Sequence, residues 1–182
     1  MQKYAQGKYD ITFMISSICY ITLAYNALTI KAIEGGYDYM MLLNADESYP
    51  NDTPERLIKL LETGKSIVGG FKVVRGDSSP MLYKFKYEDE RIDKSIYTNI
   101  KGLMKVDASS LAGSMMRPSL FSHFNFPYFN MYWKEDEQQY IGEDIAFYKM
   151  CQLKGIDVWC DTDLVYGHFD LVDVTKQTME VI

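Results

Sequence analysis

The most regular feature of the sequence is a run of five apolar or aromatic residues, 39–43, that stops abruptly at the polar residues Asn44, Asp46 and Glu47. A short continuous apolar run bounded by turn-forming residues is typical of a strand that is buried on both faces of a parallel sheet. Open α/β sheets bind their ligands outside the carboxyl ends of such strands. The pattern therefore predicts that these three polar side chains lie at a binding site.

Three stretches carry apolar residues at helical spacing and are followed by glycine, which predicts three helices. They cover about residues 20–33, 53–63 and 144–154. The first helix is expected to bury Leu23, Ala27 and Ile30. The second is expected to have Thr53 as its N-cap, with a proline in its first turn.

Strands are predicted between and after these helices, at 11–15, 39–43, 66–68, 71–74, 81–87, 105–108, 114–117 and 158–160. The strand, helix and strand over residues 39–68 predict a βαβ unit with a right-handed crossover. A short helix is predicted over 118–124, and loops over 76–80 and 88–94. Residues 126–140 are aromatic and acidic without a period, which predicts a long surface loop, a kind that often forms a lid or binding loop. Together these elements predict one α/β domain over residues 1–182, with a mixed, mostly parallel sheet flanked by helices.

The composition is that of an ordinary globular protein, 47% apolar and 24% charged. A net charge of −6 argues against a nucleic-acid or anionic-membrane partner, and an anionic ligand would need a metal ion or local cations. The three cysteines are odd in number and widely spaced, so we expect no disulfide framework and no zinc site. A reducing, cytoplasmic location fits this cysteine usage.

Residues 11–30 contain no charged side chain, and that length is about that of a membrane span. Six polar residues interrupt the stretch: Thr12, Ser16, Ser17, Thr22, Asn26 and Thr29. We therefore expect a buried strand, loop and helix here and no stable membrane span, with a membrane segment as the alternative.

Three groups of residues are candidates for chemistry. Asn44, Asp46 and Glu47 offer oxygen atoms that suit a hard cation such as Mg²⁺ or Mn²⁺; the alternative is that they only begin a loop. Glu143 and Asp144 open a helix, where acidic residues are favoured by the helix dipole whether or not one of them acts as a general base. His168 follows a glycine after the last strand, and it is either a metal ligand or an ordinary structural histidine.

Taken in order, these pieces resemble the GT-A fold glycosyltransferases, in particular the inverting family 2 enzymes. Residues 44–50 (Asn-Ala-Asp-Glu-Ser-Tyr-Pro) resemble the acidic DxD motif of that family, which is often followed by an aromatic residue and proline. Further matches, in the family's order, are residues 67–71 (Ile-Val-Gly-Gly-Phe), the strand and hairpin from 106 to 117, Gly142-Glu143-Asp144, and Gly167-His168. No single motif is specific, and the resemblance rests on their order and spacing over about residues 26–168.

The resemblance implies a single GT-A-like, Rossmann-like domain. The nucleotide-sugar and metal side would comprise about residues 1–75, and the acceptor and base side about residues 76–182. It implies a metal-dependent, inverting enzyme that moves a hexosyl group from a nucleotide sugar, such as a UDP- or GDP-sugar, to an acceptor hydroxyl. Mn²⁺ or Mg²⁺ would be the cofactor, and the acceptor would be a glycan, a protein or a lipid.

Matched residue by residue, the resemblance implies that Asp46 and His168 hold the metal ion and that Asn44, Asp46 and Glu47 contact the donor. It implies that Asp144 is the general base, while Glu143 orients the helix end or the acceptor. The acceptor is expected at the 126–140 loop, whose aromatic side chains Tyr128, Tyr132 and Trp133 suit sugar rings; a packing flap is the alternative.

Two departures from the family pattern bear on this interpretation. Asn44 replaces the first aspartate, and only about forty residues precede the motif, fewer than in most family members, with residues 11–15 expected to be a remnant of the nucleotide-binding strand. Both favour the main alternative, a non-catalytic nucleotide- or glycan-binding module. A nucleotidyltransferase is a further alternative, although the glycine-rich basic loop typical of those enzymes is missing. A glycosidase with Asp46 and Asp144 as its carboxylate pair is more distant.

Overall fold

A computed structural model describes residues 2–6, 9–74, 79–85, 92–93, 97, 100–135 and 138–169. The first half of the chain contains β1 (Gln2–Gln6), β2 (Tyr9–Phe13), α1 (Ile21–Glu34), β3 (Met40–Met41), β4 (Glu47–Ser48), α2 (Thr53–Glu62), β5 (Ile67–Phe71), β6 (Lys84–Phe85) and β7 (Ile92–Asp93). The second half contains β8 (Leu103–Val106), β9 (Met115–Met116), a 3-10 helix (Pro118–His123), β10 (Tyr132–Lys134), β11 (Gln139–Ile141), α3 (Glu143–Leu153), β12 (Val158–Val165) and β13 (Gly167–His168).

The centre of the fold is a mixed five-stranded sheet with the order β3-β9-β5-β12-β8. Strands β5 and β12 run parallel, whereas the other three neighbouring pairs are antiparallel. The predicted α/β class is confirmed, but the prediction of a mostly parallel sheet is wrong. The reason is that β9 lies between β3 and β5 and runs against both of them, so these two parallel strands are not neighbours.

Strand β3 is shorter than the predicted strand at 39–43, and it lies at the edge of the sheet. Its ladder with β9 pairs Met40 with Met116 and Met41 with Met115. Beyond it, Leu42 continues the pairing irregularly, because its N–H donates to the carbonyl of Ser114 at 3.1 Å. The prediction of a strand buried within a parallel sheet is therefore wrong, although polar residues do follow the strand as predicted.

The strand predicted at 11–15 also lies elsewhere than expected. Strand β2 pairs antiparallel with β1 in a separate two-stranded sheet, and Ile15 beyond it is exposed. Since β2 is not part of the central sheet, it does not take the place of a nucleotide-binding strand there. Among the described residues, no helix has both the length and the apolar character that crossing a membrane requires.

Helices cover both faces of the sheet. Neighbouring residues of a strand point to opposite faces, so each strand contributes side chains to both layers. On one face α2 packs through Leu57, Ile58 and Leu61 against a cluster that includes Val68 and Met115. On the other face, the neighbouring residues Ile67 and Met116 belong to a larger cluster contributed by α1, α3 and the 3-10 helix. The result is a three-layer α/β/α arrangement.

The buried face of α1 differs from the predicted face of Leu23, Ala27 and Ile30. The helix buries Tyr25, Asn26, Thr29 and Ala32, while Leu23 is exposed. The Asn26 amide explains the rotation, since its Nδ2 donates to the Phe129 carbonyl at 2.7 Å and its Oδ1 accepts from the N–H groups of Tyr128 and Phe129 at 2.8 and 3.1 Å. The hydrogen bonds of the Asn26 amide therefore set the orientation of this helix. A pattern of hydrophobic residues gives no information about such hydrogen bonds.

The ends of the helices agree with the sequence to within one or two residues. Gly36, Gly64 and Gly155 follow the three helices with positive φ angles, as a helix-ending glycine should. Asp52, however, occupies the N-cap position of α2, so the prediction of Thr53 as N-cap is one residue late. The three cysteines are free, and two of them, Cys151 and Cys160, are buried.

The predicted loop at 126–140 contains a short hairpin, β10–β11. The predicted surface loop therefore carries two short strands in its second half, within which residues 136–137 lie outside the described part. The predicted strand at 81–87 is described as far as residue 85, where it contributes β6. Residues 76–78 of the loop predicted at 76–80 fall outside the described residues, as does most of the loop predicted at 88–94.

Candidate functional site

Asp46 and His168 are brought together by a short pairing outside the central sheet. Strands β4 and β13 run antiparallel, with His168 opposite Glu47 and Gly167 opposite Ser48. The N–H of Phe169 also donates to the carbonyl of Asp46 at 2.8 Å. The Nε2 atom of His168 consequently lies 3.4 Å from Oδ2 of Asp46.

Asp46, Glu47 and His168 form a group that has the ligand chemistry of a divalent metal site. One ligand atom from each residue lies within 4.8 Å of the other two. The side chain of Asp46 is 51% exposed and that of His168 is 22% exposed, so both are open to an ion from solution. The Nδ1 atom of His168 is buried without a hydrogen-bond partner in the described part of the chain. Carboxylate and imidazole ligands suit Mn²⁺ and similar ions, and these residues fit such a group.

Glu47 has a different environment from its two neighbours in the cluster. Its side chain is fully buried, and its carboxylate accepts hydrogen bonds from Lys72 Nζ, from the Tyr49 hydroxyl at 2.6 Å and from Asn44 Nδ2 at 3.3 Å. The Lys72 ammonium is itself 4% exposed. Because Lys72 already neutralises Glu47, Asp46 and His168 are the members of the cluster that can take up an added positive charge.

Asn44 is held in place by the same network. Its Oδ1 accepts from the Tyr25 hydroxyl at 2.7 Å, and its backbone N–H donates to the Tyr49 hydroxyl at 3.3 Å. Burial raises the pKa of Tyr25, and burial together with the hydrogen bond to Glu47 raises the pKa of Tyr49, so both hydroxyls remain protonated donors. The strand end that carries Asp46 is therefore fixed by buried polar bonds.

Tyr166 anchors the segment that carries His168. Its backbone N–H donates to the Phe71 carbonyl at 2.9 Å, and its hydroxyl donates to the Gly113 carbonyl at 2.9 Å. The ring packs so closely on Gly70 and Gly113 that a Cβ at either position would overlap it. These two glycines let the aromatic ring sit against backbone, and the anchored ring holds His168 at the edge of the site.

Glu143 and Asp144 occupy the first turn of α3 and face the same cleft. The cleft has a volume of about 190 Å³, and its polar lining is Asn44, Glu47, Lys72, Ser110, Glu143, Asp144 and His168, together with Tyr25. Oδ1 of Asp144 accepts from the Ile145 N–H at 2.7 Å, which orients the carboxylate. Burial, together with the nearby charge of Asp144, raises the pKa of Glu143. The cleft thus brings His168 together with two carboxylates that can accept a proton, and Asp46 lies beside it at His168.

Lys72 and Tyr25 belong to this site although the sequence did not single them out, whereas Tyr49 is the aromatic residue of the motif at 44–50. A signal for Lys72 exists, because it directly follows β5, which runs in the same direction as β3. The carboxyl ends of these strands lie at one edge of the sheet, where ligand-binding residues collect. Tyr25 carries no comparable signal, since its role depends on a single hydrogen bond.

Comparison with known proteins gives information on the fold alone. No family model and no curated protein matches the chain. Among solved structures 17 chains match, and one of them is the crystal structure of A197 from STIV. It has a TM-score of 0.61 and 14% sequence identity, with 86% of this chain and 71% of that chain covered. At this identity the likeness shows a shared α/β fold and nothing about function.

Proposed function

We propose that this chain is a metal-dependent, inverting glycosyltransferase of the GT-A type, which moves a sugar from a nucleotide-sugar donor to an acceptor hydroxyl. The observation that carries the proposal is the placement of Asp46 and His168 beside each other, next to a cleft that Asp144 also lines. Two residues far apart in the chain are thereby close enough to bind one cation. The third residue can accept a proton from a substrate in the same cleft.

The need for a metal ion follows from the charges around the cleft. A nucleoside diphosphate is an anion, the chain has a net charge of −6, and the nearby Lys72 is already neutralised by Glu47. Mn²⁺ or Mg²⁺ held by Asp46 and His168 would supply the missing positive charge for the donor. When bound, the ion stabilises the charge that grows on the leaving diphosphate.

The remaining steps belong to residues of the chain. Asp144 takes the proton from the acceptor hydroxyl as that oxygen attacks the anomeric carbon on the face opposite the diphosphate, which inverts the configuration. Glu143 lies beside it in the first turn of α3, and we assign it the role of orienting the acceptor. Glu47 and Asn44 hold the strand end that carries Asp46, and both also line the cleft, where they would contact the donor.

A thermal-shift panel tests the donor site and the metal site together. UDP, GDP, CMP and dTDP, with their common sugar conjugates, are added to the full chain with and without Mn²⁺. At 100 times its dissociation constant a ligand adds about 2.7 kcal/mol, which raises the midpoint of a domain of this size by roughly 5–10 °C. We expect one nucleotide to produce this shift only with Mn²⁺, and we expect Asp46→Ala to abolish it.

Glu62→Ala is the matched control, because Glu62 is an exposed carboxylate at the end of α2, outside the lining of the cleft. This variant should keep the full shift. A shift that is equally large without Mn²⁺, or that survives in both Asp46→Ala and His168→Ala, would contradict the proposed metal site.

A non-catalytic nucleotide-binding module is the second candidate, and Asn44 is the observation that favours it. An amide stands here in place of a carboxylate, and its two polar atoms are already engaged by Tyr25 and Glu47. The two candidate functions differ in whether the protein breaks down its nucleotide-sugar donor. A transferase releases nucleoside diphosphate from its donor in the presence of Mn²⁺, whereas a binding module gives the thermal shift without any release.

A further inference from the structure

The hairpin β10–β11 presents two aromatic rings to solvent. The register places Trp133 opposite Tyr140, with ring centroids 5.1 Å apart and an interplanar angle of 67°. Trp133 is 44% exposed and Tyr140 is 67% exposed. On the other face of the hairpin, Lys134 and Ile141 are buried. The hairpin is therefore anchored by one face and displays the aromatic pair on the other.

The surroundings of the pair are polar. The indole N–H of Trp133 donates to Oε2 of Glu135 at 2.6 Å, which fixes the orientation of the ring. Gln138, in the turn between the two strands, is exposed. A lipid chain would need a continuous aliphatic surface, which this face does not offer. A sugar ring has apolar C–H faces and a rim of hydroxyls, so it matches flat aromatic faces with polar groups beside them.

The position of the hairpin connects it to the cleft. Strand β11 leads through Gly142 directly into α3, so Tyr140 precedes Asp144 by four residues. Four residues of fully extended chain span at most about 14 Å. Tyr140 and Asp144 are therefore no farther apart than a short oligosaccharide can span.

We propose that the acceptor is a glycan and that Trp133 and Tyr140 form its binding surface. Inner sugar residues stack on the two rings, while the terminal residue presents its hydroxyl to Asp144. The acceptor role rests on the proposed glycosyltransferase function. The stacking surface itself is independent of it, because it can bind saccharides without donor or metal.

Calorimetric titration of the full chain with short gluco-, manno- and galacto-oligosaccharides, without nucleotide, tests this surface. We expect one series to bind saturably, with affinity about tenfold lower in both Trp133→Ala and Tyr140→Ala. Tyr140→Phe keeps the ring and should retain the affinity. Leu153→Ala removes an even more exposed large side chain from the end of α3 and should leave binding unchanged.

Thermal midpoints establish that each variant is folded, and the nucleotide shift described above should be unchanged in Trp133→Ala. Absence of binding by any saccharide, or equal affinity in the wild type and both alanine variants, would overturn the proposal. Nucleotide binding without saccharide binding refutes the stacking surface and leaves the transferase function standing. Saccharide binding without nucleotide binding refutes the transferase function and supports the surface.

Discussion

Lys72→Met is expected to lower the free energy of unfolding by about 3–5 kcal/mol, because it leaves the Glu47 carboxylate buried without its cation. The Glu47 side chain has no exposed surface, so water cannot replace the lost partner. The hydrogen bonds from Tyr49 and Asn44 remain, yet they carry no net charge. Removing one member of a buried pair costs far more than the pair itself contributes.

Urea denaturation of four proteins measures this effect: the wild type, Lys72→Met, Glu47→Gln and the double variant. The double variant removes both charges and should recover a large part of the loss seen in Lys72→Met, which is the signature of a coupled pair. Lys59→Met is the matched control, because it breaks an exposed pair with Glu55 within α2 and should cost less than about 1 kcal/mol. If Lys72→Met were no more damaging than Lys59→Met, the buried ion pair would not be what stabilises this strand end.

The features that were predicted best from the sequence are those that local chemistry determines. Helix ends at Gly36, Gly64 and Gly155 follow from the conformational freedom of glycine, and they were predicted to within one or two residues. The position of β9 between β3 and β5 was missed, because strand order depends on pairing between segments that are far apart in the chain. A continuous apolar run identifies a strand and says little about its neighbours.

The same distinction applies to the candidate site. The motif around Asp46 and the Gly-His pair at 167–168 predicted two residues that do lie together. Lys72 was missed because it lies within the strand predicted at 71–74, where nothing in the sequence indicated a buried lysine, whereas here it is buried against Glu47. The pattern of polar bonds is a property of the fold, and a single sequence does not determine which polar side chains are buried together.

Asp144→Asn is expected to lower the rate of sugar transfer by about 10²–10⁴-fold, because the amide cannot accept the proton of the acceptor hydroxyl. The substitution changes little else. An asparagine oxygen can still accept the hydrogen bond from the Ile145 N–H, so the start of α3 should stay folded. Donor binding and the Mn²⁺-dependent thermal shift should remain at wild-type values. Single-turnover rates with the donor found in the nucleotide panel measure the loss.

Glu143→Gln is the matched control for this experiment, since it neutralises the neighbouring carboxylate in the same turn. Burial raises the pKa of Glu143, which makes it a stronger base than an ordinary glutamate and therefore the natural rival for the role. We expect Glu143→Gln to keep transfer within about tenfold of the wild type, as suits a residue that orients the acceptor. The reverse ranking would assign the proton transfer to Glu143. Full activity in both variants would mean that neither carboxylate at the start of α3 is the base.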